Sequence, residues 1–303
     1  MNEVQALPCL EPATCHDQEK EPTGAPLFSP GEAPRFFIRP KPRLKLEIRN
    51  VAKTYASTKG LIRALSNINL TVHEGEFACI LGPSGCGKST LLHLIAGLEL
   101  PDHGEIRLYS TQAKKEKSAE RLIIFQEAAL FPWLTVLENI LFGLRLQKLG
   151  AKESKEKAMH FLALVKLENF AHCFIHELSG GMKQRAALAR ALVLDPELLL
   201  MDEPFAALDF QTREKLQREL EEIWRRTEKT IIFVTHNVEE AITLGDRVIL
   251  FSGQPGTVKQ EYTLPPGRPR QKESPFFAEL AAEIKRGFQV QDPGRELVEE
   301  VTG

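Results

Sequence analysis

Gly82-Pro83-Ser84-Gly85-Cys86-Gly87-Lys88-Ser89 is the stretch on which the reading of this chain turns. These residues fit G-x-x-x-x-G-K-[ST] in full. They lie between a predicted strand, Phe77 to Leu81, and a predicted helix, Lys88 to Ala96. Glycines let the backbone bend until successive N–H groups point at one anion, and a helix start adds partial positive charge. Lys88 supplies a full charge for outer phosphates, and the Ser89 hydroxyl, with Thr90 behind it, suits Mg²⁺. A glycine turn that binds nothing would not call for both a strand before it and a helix after it.

A second small-residue turn lies downstream, Leu178-Ser179-Gly180-Gly181-Met182-Lys183-Gln184-Arg185. Ser179 is a natural helix N-cap ahead of the alanine-rich run Ala186 to Ala191, and a helix start is another place for an anion. Two anion-binding turns with one nucleotide loop imply that two copies of the chain meet to complete a site. Leu198-Leu199-Leu200-Met201-Asp202-Glu203 then reads as an apolar strand ending in adjacent carboxylates. Side chains alternate along a strand, so the two acids point differently. Asp202 would hold Mg²⁺, directly or through water, and Glu203 would polarise an attacking water. Alone, this segment is also compatible with a solvated strand end.

Composition narrows the field. The 303 residues bury a sizeable core, and the formal net charge of -2 gives no electrostatic case for a nucleic-acid partner. The five cysteines, Cys9, Cys15, Cys79, Cys86 and Cys173, show neither metal-ligand spacing nor a disulfide framework, so a reducing cytoplasm is the default. No apolar run reaches the roughly 18 to 20 residues of a membrane-spanning helix. Residues 1–43 have the Pro-rich, aperiodic composition of a disordered arm. Residues 44–265 alternate strands with helices, which implies a mostly parallel sheet covered on both faces, with a helical insert at about 127–193. A tail, 266–303, carries one amphipathic helix at about Ser274 to Phe288.

From about Leu46 to Phe251 the chain resembles the ATP-binding cassette (ABC) family of ATPases, whose distinguishing motif Leu178-Ser179-Gly180-Gly181 matches. The resemblance implies an α/β phosphate-loop core with an antiparallel β subdomain and a helical subdomain. It implies ATP as ligand, Mg²⁺ as cofactor, and a homodimer in which Ser179, Gly180 and Gly181 reach the terminal phosphate held by the other copy. By the same matching, Gln126 senses Mg²⁺ and the attacking water, and Asp209 sits in the loop that crosses the dimer interface. His236 contacts the terminal phosphate, and Tyr55 stacks on adenine. Taken singly, Asp209 is an ordinary helix cap, His236 a structural histidine and Tyr55 a core or edge tyrosine. Asn237 stands where many relatives have Asp, a departure that leaves the phosphate contact with His236.

Leu130, Phe131 and Trp133, just past Gln126, are either core or an exposed docking patch; in family transporters this region meets a membrane permease. Together with Thr235 to Ala241 and Gln254-Pro255-Gly256, this segment resembles the nitrate, sulfonate and taurine importer ATPases of bacteria. That branch implies an ATPase subunit at the cytoplasmic face of the membrane, with permease subunits as direct partners and a solute-binding protein as an indirect one. The alternative is a soluble, non-transport member of the family, such as one in metal-cluster assembly.

Overall fold

The computed structural model describes residues 43–58, 60–110, 120–147 and 149–289. The Pro-rich arm with Cys9 and Cys15, and the end of the tail, lie outside the described residues. In chain order, β1 (Leu44–Ser57) and β2 (Gly60–His73) pair antiparallel, and β3 (Phe77–Leu81) leads through the glycine loop into α1 (Lys88–Ala96). Next come β4 (His103–Leu108) and β5 (Arg121–Ile124). Three helices follow, α2 (Val136–Leu146), α3 (Ala151–Leu164) and α4 (Gly180–Leu192). The second half runs β6 (Leu198–Asp202), α5 (Phe210–Thr227), β7 (Thr230–Thr235), α6 (Val238–Leu244), β8 (Arg247–Phe251), β9 (Val258–Thr263) and α7 (Pro275–Gln289).

These strands build two sheets. One is antiparallel, in the order β2-β1-β4; the other has six strands in the order β5-β6-β7-β3-β8-β9, parallel except for the edge pair β8/β9. The apolar runs of β3, β6 and β7 are fully buried because they lie inside a parallel sheet covered on both faces. Their period-two alternation divides the core. Phe77, Cys79 and Leu81 of β3, Leu199 and Met201 of β6, and Ile231 and Phe233 of β7 face the layer of α2 to α7. Ala78, Ile80, Leu198, Leu200, Ile232 and Val234 face α1 and the antiparallel sheet.

The α/β fold and the helical character of the stretch after β5 follow the sequence reading. Two elements had no forewarning. α6 is only seven residues long, too short for a periodic stripe, and β9 is an edge strand whose residues are mostly polar.

The segment before α2 is shaped by one side chain. Thr135 and Glu138 form a capping box at the helix start. Asn139, fully buried, accepts a hydrogen bond from Phe131 N (2.8 Å) and donates to the carbonyls of Phe131 (3.1 Å), Leu134 (3.3 Å) and Thr135 (3.0 Å). That brace closes the turn, packs Phe131 on Phe142 at 4.6 Å between ring centroids, and leaves Trp133 70% exposed. The docking alternative for Trp133 therefore has the exposed surface it requires. Asn139→Asp keeps the size but turns an oxygen towards three carbonyls. It should cost about 2 kcal/mol or more of stability, seen as a lower urea midpoint at unchanged slope; an unshifted midpoint would show that the brace is dispensable.

Candidate functional site

Register assembles the site. Leu81 pairs with Thr235 and Asp202 with Val234, so β3, β7 and β6 finish side by side at one edge of the sheet. The residues after those strand ends are Gly82, His236 and Glu203. β5 stops one strand further out, with Ile124 beside Met201, and delivers Phe125 and Gln126 to the same edge. Strand carboxyl ends in an open α/β sheet are where ligands bind.

The glycine loop is held from behind. Gly87 has φ +96°, and a Cβ there would meet Ala64 O at 2.6 Å. A Cβ on Gly256, in the turn before β9, would fall 2.1 Å from Cys86 O. Only glycine permits this approach of three backbone segments. Gly256 N donates to Ala64 O and Ser66 N donates to Gly256 O, tying the β8–β9 turn to β2 behind the loop. Gln254-Pro255-Gly256, quoted above only as a pattern of resemblance, thus acquires a physical role. Among the described residues no side chain caps the amino end of α1, and no acidic residue lies in its first turn, so its N–H groups are available to an anion. Cys86, 1% exposed, turns its thiol inward against Gly82, and burial pushes its pKa up.

The loop opens onto a cleft of about 580 Å³ lined by Tyr55, Ser84, Gly85, Gly87, Lys88, Ser89, Thr90, Gln126 and Glu203, with Ile62, Ala64 and Gln254 at its sides. Sequence reasoning missed these last three, because none belongs to a motif that touches phosphate. Lys88, 4% exposed, donates to Gly82 O at 2.8 Å and Pro83 O at 2.9 Å, and its Nζ is 3.5 Å from Glu203 Oε1. The other oxygen of Glu203 lies 2.8 Å from His236 Nδ1. Glu203 adopts φ +44°, a left-handed conformation costing a non-glycine residue about 1 kcal/mol or more. The peptide is held there by Glu203 N donating to Val234 O at 3.0 Å.

Ser89 Oγ donates to Asp202 Oδ1 at 3.0 Å. Asp202 is buried, and burial raises its pKa; the bond from Ser89 works in the opposite direction. Hydroxyl, carboxylate and, from Gln126, amide oxygens are hard donors of the kind Mg²⁺ prefers. Tyr55 stands at the rim, its hydroxyl donating to Glu99 Oε2 at 2.6 Å and Lys53 Nζ 5.5 Å from its ring centroid. Burial and the bond to Glu99 push the pKa of that phenol up.

Four predicted site residues lie elsewhere. Ser179, Gly180, Gly181 and Asp209 do not line this cleft; they adjoin one another instead. A Cβ on Gly181 would meet the Thr212 methyl at 2.7 Å, and one on Gly180 would meet Leu208 at 3.4 Å. Ser179 caps α4 by accepting from Met182 N, and Asp209 caps α5 by accepting from Thr212 N at 3.0 Å. The next turns of α4 reach the cleft edge from the side. Gln184 Nε2 donates to Gln126 O at 2.9 Å, and Arg190 donates to the carbonyls of Ala129 (2.9 Å) and Ala128 (3.3 Å).

Residues 65–206 match the ABC transporter family model. The chain is 46% identical to the nitrate import ATP-binding protein of Synechocystis over 73% of its length and 83% of the relative. It is 43% identical to the aliphatic sulfonates import ATP-binding protein of Bacillus cereus, covering 81% of this chain and 96% of that one. Among solved structures, the dimeric post-hydrolysis state of an ATP-binding cassette bound to ADP and Pi superposes with a TM-score of 0.63 at 35% identity, covering 73% of this chain and all of the other.

The raised pKa of Asp202 has a consequence for stability. A carboxyl whose folded pKa exceeds its unfolded value destabilises the fold once pH is above both, and the penalty fades as the group protonates in both states. Asp202→Asn should therefore melt higher than the unsubstituted chain at neutral pH, in the absence of nucleotide. The gap should close as pH falls from the raised pKa towards the ordinary carboxylate range. Differential scanning fluorimetry across pH checks this, and equal melting temperatures throughout would remove burial as the cause.

Proposed function

This chain belongs to the ABC transporter family of ATP-binding proteins, and from that premise we propose that it is the ATP-hydrolysing subunit of an importer for a small anion such as nitrate, sulfonate or taurine. The observation that carries the hydrolytic reading is Glu203, kept in a strained backbone conformation with one oxygen towards Lys88 and the other against His236. A strand end needed only for packing has no use for that arrangement.

In this reading, the N–H groups from Ser84 to Thr90 and the start of α1 bind the phosphates of ATP. Lys88 exchanges its two loop carbonyls for phosphate oxygens, which costs little because the charge stays fully bonded. Glu203 orients the attacking water and receives its proton, and His236 holds Glu203 and the terminal phosphate in line. Tyr55, beside Ile62 and Ala64, offers its ring to the adenine. Ser89, Asp202 and Gln126 would hold Mg²⁺, which when bound neutralises charge between the outer phosphates. Catalysis is then positioning and electrostatics, with no covalent step on the protein.

Ser179, Gly180, Gly181 and Asp209 form a separate cluster, so we assign them to the nucleotide of a second copy in a homodimer. The dimeric state of the solved cassette supports this arrangement. The domain limits read from the sequence, an arm at 1–43, the ATPase domain at 44–265 with its helical subdomain at 127–193, and a tail at 266–303, belong to the same proposal.

Among the described residues no helix is long and apolar enough to cross a membrane. The chain would instead dock on permease subunits at the cytoplasmic face. A groove of about 370 Å³, lined by Phe125, Ala128, Phe131, Phe142 and Leu194 beside exposed Trp133, supplies the surface. Arg190 and Gln184 connect the floor of that groove to α4 and hence to the Ser179 turn, so movement at the docking face is felt where the two copies meet. The solute-binding protein acts on this subunit only through the permease.

Glu203→Gln should retain ATP affinity while turnover falls at least a hundredfold, about the contribution of a general base, and the closed dimer should accumulate in size-exclusion chromatography with ATP. Turnover near that of the unsubstituted chain would take Glu203 out of its role. Trp133→Glu, co-expressed with the permease, should shift the chain from the membrane pellet to the soluble fraction. Undiminished sedimentation with membranes would place the docking surface elsewhere.

A further inference from the structure

We propose that Glu240 and Arg213 are a positioning pair for hydrolysis, linking the turn that presents His236 to the loop that presents Asp209. The inference rests on the ATPase reading above and concerns residues that do not line the nucleotide cleft.

Among the described residues the His236 side chain hydrogen-bonds to Glu203 alone, and its ring is half-exposed, so its aim is set by the residues on either side. Both neighbours are fastened. The Thr235 hydroxyl donates to Glu240 at 2.6 Å and accepts from Asn237 N at 3.0 Å. Asn237 Oδ1 in turn accepts from Glu239 N and Glu240 N. Asn237, the departure from the family pattern, thus serves as the cap of α6.

Glu240 is 5% exposed. Its Oε1 lies 3.6 Å from Arg213 Nε, and the buried Gln217 amide, one turn further along α5, faces the same carboxylate. Arg213 Nη2 donates to Leu208 O at 2.9 Å, the carbonyl just before Asp209. Leu208 and Thr212 are also the residues against which Gly180 and Gly181 pack. One ion pair therefore spans from the strand end carrying His236 to the cluster assigned to the second nucleotide.

Holding α6 in place does not explain the pair. That helix is already closed at its amino end by Asn237 and at its carboxyl end by Arg270, whose Nη1 donates to the carbonyls of Ile242, Thr243 and Gly245. Burying a carboxylate beside a guanidinium is seldom more stabilising than an apolar pair of similar volume. Its distinctive property is direction: the pair holds two loops in one register relative to each other. Each loop serves a different phosphate in the proposed dimer.

The test uses the full-length chain, comparing Glu240→Gln, Arg213→Met and the double variant by ATPase kinetics, a fluorescent ATP analogue and thermal melting. Glutamine still accepts the Thr235 hydroxyl, so only the charge is lost. We expect kcat to fall roughly tenfold in each single variant, a loss typical of misaligned reacting groups, with affinity for the analogue within about twofold. Each single variant leaves one buried partner unpaired, which shifts melting, so the rates are compared at a temperature at which every variant is fully folded. The double variant should be no slower than the slower single, since the partners act as a unit. Unaltered kcat in both singles would overturn the proposal, as would losses that multiply in the double variant or a parallel loss of nucleotide affinity. Glu203→Gln separates the two readings. If the unsubstituted chain is no faster than that variant, the ATPase reading fails; if it is faster and Glu240→Gln keeps its full rate, only the positioning pair fails.

Discussion

The parallel ladder joining β6, β7 and β3 is the constraint on which the site depends. Each strand is short and wholly buried, apolar but for Asp202 and the threonines that bound β7, and burial on both faces constrains its register. A slip of one residue in β6 would exchange the core faces of Leu199 and Met201 with those of Leu198 and Leu200. It would also move Asp202 and Glu203 off the phosphate loop. The hydrophobic interior therefore fixes the distances among Lys88, Glu203 and His236.

Around that edge the protein accepts local cost. Lys88 is buried and bonded to carbonyls of its own loop, Asp202 is buried with its pKa raised, and Glu203 has left-handed backbone angles. Each is the kind of strain or desolvation that persists only where surrounding structure over-determines it. The supports can be named: the β2 backbone and the Gly256 turn behind the loop, the bond from Ser89 to Asp202, and the peptide bond from Glu203 to Val234. Charged and strained groups held this way need little reorganisation when a phosphate arrives.

The helical layer serves a different purpose. α4 begins at the Ser179 turn and, within its next three turns, grips the backbone of Gln126, Ala128 and Ala129. The same backbone continues into the Asn139-braced turn that displays Trp133. The cleft edge, the small-residue turn and the exposed aromatic patch are thereby joined by one continuous set of hydrogen bonds. In the proposed assembly that is a physical route by which docking and nucleotide state affect each other.

Much of this was readable in the linear chain. The eight residues from Gly82 to Ser89, the acidic end of β6 and the apolar runs of the parallel strands specify local chemistry through spacing and period, because phosphate geometry and the pleat repeat over a few residues. The β/α alternation did the same for the architecture. Other features exist only between segments far apart in sequence. The close approach of Gly256 to Cys86, the reach of Arg190 to Ala129, the pairing of Glu240 with Arg213, and the separation of Ser179 and Asp209 from the cleft are decided by tertiary packing. No local pattern encodes which distant backbone or charge will lie opposite a given side chain.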